Sequence, residues 1–117
     1  MKLPNGNRAI IDIAKLRDYC LNPRHPYGRH KSRVFRSALG FDQSRAEELR
    51  HILLQVAATN EAQLGEKDDY GQRYVVDFPL PAAAGTVTVR SCWIVRRDED
   101  VPRLTSCYVV MKGQAKP

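Results

Sequence analysis

The chain has 117 residues, 43% hydrophobic and 27% charged, the balance of an ordinary globular protein with one modest core. Its 19 Lys and Arg against 13 Asp and Glu leave a net charge of +6, which favours a polyanionic partner. No apolar run approaches membrane-spanning length, no signal peptide is evident, and three irregularly spaced cysteines fit reduced thiols, so a cytoplasmic protein is expected.

No repeat or flexible linker divides the chain, which reads as a single domain over 1–117. The hydrophobic period changes near residue 60, predicting helices over about 12–60 and an antiparallel sheet over about 61–112. Asp12 can cap a first helix that turns Ile13, Leu16, Cys20 and Leu21 inward. Pro23 and Pro26 then stop it, because each disfavours helix at the residue before it. A second helix, roughly residues 30–39, buries Val34, Phe35, Ala38 and Leu39 and ends at Gly40. Ser44 and Glu47 fit a capping box for a third helix, which turns Ala46, Leu49, Leu53, Val56 and Ala57 inward and ends near Asn60.

The remainder alternates. Residues 61–65 suggest a short edge strand. In residues 72–80, Tyr74, Val76, Phe78 and Leu80 share one face, with Arg73 and Asp77 on the other. In residues 86–95, Val87, Val89, Trp93 and Val95 point inward, with Thr88, Arg90 and Cys92 outward. Residues 103–111 alternate less cleanly, and the pattern favours Leu104, Tyr108 and Val110 inward. Turns at 81–85 and 98–102 complete a meander, so the expected fold is α+β: three N-terminal helices packed on one face of a three- to four-stranded antiparallel sheet.

Chemistry concentrates between Arg24 and Arg36, which hold two histidines and five Arg or Lys side chains between them. Lys31 precedes Val34 and Phe35 by three and four positions and so shares their side of the helix. Held between core and water, it is expected to have its pKa lowered by desolvation and neighbouring cations. The alternative is a lysine whose ammonium snorkels out of the helix end. His25 and His30 titrate near neutrality and supply the proton transfers that metal-free RNA cleavage needs. The alternative for His25 is a loop residue whose ring bonds the backbone. Cys20, His25 and His30 also admit a zinc reading, but the spacing is poor and a fourth ligand is missing, so no metal or cofactor is expected. His51, among charged neighbours, reads as a surface residue. Arg73 and Arg90 point outward on neighbouring strands, where Asp77 can pair with one of them or a phosphate with both.

Tyr19, Leu21, Asn22, His25, Pro26, Gly28, Lys31, Phe35, Leu39 and Gly40 form a motif. With Gly71, Gln72, Arg73, Val89, Arg90, Trp93 and Thr105, it resembles a bacterial domain family related to the C-terminal nuclease tips of polymorphic and contact-dependent toxins. Ser32 stands where that family pattern has alanine, a harmless departure. The resemblance implies the fold shared by barnase, EndoU, colicin RNases and RelE, and a metal-independent endoribonuclease. Lys31, Arg73 and Arg90 would then bind the scissile phosphate, His25 or His30 would move protons, and Thr105 would orient the phosphate. RNA is the implied substrate and an acidic inhibitor protein the implied partner. A module that binds RNA or a protein through the same cationic cleft, without turnover, is the alternative.

Overall fold

The computed structural model describes residues 1–83 and 85–110. Asp12 opens the first helix as expected, its carboxylate accepting the Ala14 N–H at 3.0 Å. Helix α1 (Ile13–Lys15) widens at once into a π-helical turn, Leu16–Cys20, closed by the Leu21 N–H on the Leu16 carbonyl at 2.8 Å. This turn brings Leu16, Cys20 and Leu21 into the core together. Helix α2 (Arg29–Leu39) ends at Gly40, whose φ of 71° suits glycine. Helix α3 (Ala46–Thr59) buries Ala46, Leu49, Leu53, Val56 and Ala57, the five positions that its period selects.

The expected capping box does not form. Asp42 takes both the N–H of Ser44, at 2.9 Å, and its hydroxyl. It thereby caps a 3-10 turn (Gln43–Arg45) that runs into α3, and Arg45 occupies the α3 cap position without capping it through its side chain. Asp42 takes the N–H that Glu47 would hold in a capping box, and the Ser44 hydroxyl is spent on the same carboxylate, so the turn is captured upstream.

Four strands follow: β1 (Gln63–Asp68), β2 (Gly71–Ala82), β3 (Gly85–Arg96) and β4 (Pro102–Val110). They form an antiparallel meander in the order β1-β2-β3-β4. Ala84, in the expected turn, and residues 111 and 112, at the expected end of the sheet, lie outside the described residues. Helix α2 packs on β4 and β2, and α3 on β2, so one core holds Phe35, Leu49, Leu53, Tyr74, Val76, Phe78, Val89 and Trp93. Within it the Trp93 indole N–H donates to Ser91 Oγ at 2.9 Å, and that hydroxyl donates to the Val76 carbonyl at 2.7 Å.

Strand β4 departs from expectation. Leu104 is inward, but Cys107 and Val109 are buried with it, while Tyr108 and Val110 are only half-buried. Cys92 stands opposite Ser106 and Trp93 opposite Leu104, so Thr105 is an extra residue in β4. Such a bulge shifts the alternation by one position and moves Tyr108 and Val110 to the other face.

The sheet margins differ. The outer side of β4 is bonded by Ile10, whose N–H reaches the Pro102 carbonyl at 2.9 Å and whose carbonyl accepts the Leu104 N–H at 3.0 Å. The Cys107 N–H is taken by Cys20 Sγ at 3.4 Å. Strand β1 is irregular in register between Leu64 and Lys67, and β2 beyond Val75 runs past it carrying Pro79 and Pro81. The three cysteines are free thiols. No helix among the described residues is long and apolar enough to cross a membrane.

Candidate active site

Where α2 meets the outer end of β4, a chain of polar groups joins several residues of the sequence motif. Lys31 leaves α2 on the side of Phe35 and donates from Nζ to the Tyr19 hydroxyl at 2.9 Å. The ammonium lies 4.9 Å from the centre of the Tyr19 ring and 5.8 Å from that of Tyr108. Tyr108 stands opposite Arg90 across β3 and β4. Arg90 holds Asp77 through two bonds of 2.9 Å, and this pair, with Tyr108 contributing next, keeps its pKa above the usual arginine value. On the other side, the His25 ring packs edge-on against Tyr19 with centroids 4.8 Å apart.

The pKa of Lys31 is raised, not lowered as its sequence position suggests. Burial pushes it down, but the bond to Tyr19 and the neighbouring weak acids Tyr19, Cys20 and Tyr108 outweigh burial. The expected cationic neighbours turn away, because Arg29, Arg33 and Arg36 occupy the opposite side of α2. Lys31 therefore acts as a fixed positive charge and not as a base near neutrality.

His25 is held by the backbone. Its Nδ1 accepts the N–H groups of Tyr27 and Gly28, each at 3.0 Å, which leaves the ring proton of the neutral form on Nε2. Gly28 fits there because it has no side chain: a Cβ would stand 2.2 Å from the Tyr19 carbonyl oxygen. Gly28→Ala should therefore destabilise the protein by about 1–3 kcal/mol and displace Tyr19. A wild-type denaturant midpoint for that variant would show that the loop yields freely.

The other expected site residues disperse. His30 is exposed on the first turn of α2. Thr105 donates to the Cys92 carbonyl at 3.1 Å. Arg73 shares the outer face with Arg90, but its direct partner on β3 is Ile94, four residues along, or about 13 Å. It bonds Asp68 at 2.7 Å. Cys20 is engaged by Cys107, and among the described residues no three His, Cys, Asp or Glu side chains are grouped as a metal centre requires. His51 is exposed, as expected. Two groups of the seam, Tyr19 and Tyr108, were not candidates on sequence. Tyr19 was visible only as a motif position, and the bulge concealed Tyr108.

Asp68 lies below the usual carboxylate range, first because of Arg73 and then because of the Tyr70 N–H. A carboxylate with a depressed folded pKa stabilises the fold above its unfolded value, near about 4, and that contribution disappears as pH falls through the folded value. Arg73→Ala should lower the urea midpoint at pH 7 and have little effect at about pH 2. An equal deficit at both pH values would assign Arg73 to packing over Ile94 instead.

A family model described as a domain of unknown function, DUF6883, matches residues 2–111. No curated protein and no solved structure matches the chain.

Proposed function

The chain belongs to the DUF6883 family, and for this member we propose a toxin-like endoribonuclease that cleaves RNA phosphodiesters without a metal. One observation carries the reading: a half-buried lysine ammonium bonded to a tyrosine hydroxyl, beside a second phenol and an arginine, at an accessible seam. Attack of a ribose 2′-hydroxyl on the adjacent phosphorus builds negative charge on the phosphorane, and Lys31 with Arg90 supplies the opposing charge. Because Lys31 donates to the Tyr19 oxygen, the phenol keeps its own proton to give to the departing 5′-oxygen. His25 orients Tyr19, and His30, exposed on the helix surface one residue before Lys31, is the imidazole left for the base and would have to turn toward the seam to take the 2′-hydroxyl proton. An acidic inhibitor protein is the partner that such an activity calls for.

A second reading, RNA binding without turnover, has its own support. Arg90 and Arg73 already hold carboxylates, and His25 Nδ1 is occupied. Incubation of the protein with RNA and with DNA in excess chelator separates the two. The nuclease reading expects RNA alone to be cut, leaving 2′,3′-cyclic phosphate ends. RNA bound but never cut would select the second reading.

A further inference from the structure

On the side of α2 away from Lys31, a groove of about 520 Å3 is lined by Pro23, Arg29, Ser32, Arg33, Arg36 and Ser37. We propose that this groove is a second binding track, one that holds the phosphate backbone of single-stranded RNA beyond the phosphate at the seam. The identity of the strand rests on the RNA reading above; the anion site does not.

Three features of α2 support the assignment. Arg29, Arg33 and Arg36 are exposed, and among the described residues none of them joins an ion pair, whereas Arg73, Arg90 and Arg103 each hold a carboxylate. Between Asp18 and Asp42 the chain contains no Asp or Glu, and Asp42, which lies near Arg36, forms no ion pair with it. The helix also opens against its own dipole: its first turn has no acidic residue, and Gly28 provides no side-chain cap. A bound polyanion relieves this repulsion.

The geometry suits a strand more than a single ion. The arginines stand at i, i+4 and i+7, so neighbouring Cβ atoms are about 5–6 Å apart along one face. That spacing is comparable to the separation of successive phosphates on a nucleic-acid strand. Guanidinium forks match phosphate oxygens in pairs. The groove continues into a hollow of about 290 Å3 that reaches Asp42, whose carboxylate marks where the track ends.

A fluorescently labelled 12-nucleotide RNA carrying 2′-O-methyl groups cannot be cleaved through its 2′-oxygen and reports binding alone. The variant Arg29→Gln/Arg33→Gln/Arg36→Gln should bind it at least about tenfold more weakly, and the salt slope should fall by about 2, the loss of three single-strand phosphate contacts. Lys67→Gln, an exposed cation on β1 outside both the seam and the groove, should bind it nearly as the wild type does. Equal affinity and equal slope for the triple variant would overturn the track. So would a wild-type protein that ignores the RNA but binds polyglutamate, which would make the partner an acidic protein. A wild type that never cuts RNA, yet binds it through these arginines, would end the nuclease reading and leave the track standing.

Discussion

Trp93→Ala is expected to remove about 3–5 kcal/mol of folding stability, a large share of the total for a domain of this size. The indole is 1% exposed and lies between the helical layer and the centre of the sheet, so the cavity has little room to collapse. The substitution also removes the donor to Ser91 Oγ, a hydroxyl that is itself fully buried and still holds the Val76 carbonyl. The loss should appear as a lower urea midpoint at unchanged slope. If stability survived and RNA binding vanished, Trp93 would be a stacking residue and the two faces of the sheet would be exchanged.

Lys31→Ala should reduce RNA cleavage by about a hundredfold or more, with little loss of stability. The contrast follows from location. The aliphatic part of Lys31 lies at the edge of the core, while its ammonium, bonded to Tyr19, would oppose the charge that develops in the proposed reaction. The effect should fall on kcat more than on KM, since the proposed arginine track would supply the ground-state binding. Because burial is outweighed at this ammonium, cleavage that depends on its charge should persist on the alkaline side to at least the ordinary lysine range. Tyr19→Phe keeps the ring against His25 and removes only the hydroxyl, so it should lose cleavage with normal folding. Full cleavage by Lys31→Ala would remove the seam from consideration.

Much of this architecture was readable where one local signal acted alone. Helix α3 shows its buried face through spacing, and β2 and β3 are long enough for alternation to be unambiguous. The pattern misleads where two signals compete. Ser44 and Glu47 have the spacing of a capping box, yet Asp42 takes the N–H that Glu47 would hold. In β4 the alternation changes phase at Thr105, and no residue type there announces an insertion. The candidate site divides in the same way. Lys31 was legible from its position before Val34 and Phe35. Its raised pKa was not, because the groups that set it come from Tyr19, Cys20 and Tyr108, the last more than seventy residues away in sequence. Arg73 and Arg90 were correctly placed on one face, but only the register shows each beside its own carboxylate and far from the other.

The unlike margins of the sheet bear on how copies of this chain can meet. Addition of a strand from another molecule needs a straight row of unspent N–H and C=O groups. Along β4, Ile10 and Cys20 already take the outward groups of Pro102, Leu104 and Cys107. On the opposite border, β1 is six residues long, irregular in register, and bears Glu66 and Lys67, and the prolines of β2 follow where it stops. Among the described residues, neither border presents a long unspent row for ribbon growth. Crowding copies of such a chain together would favour contacts through helices and loops over pairing of sheet borders.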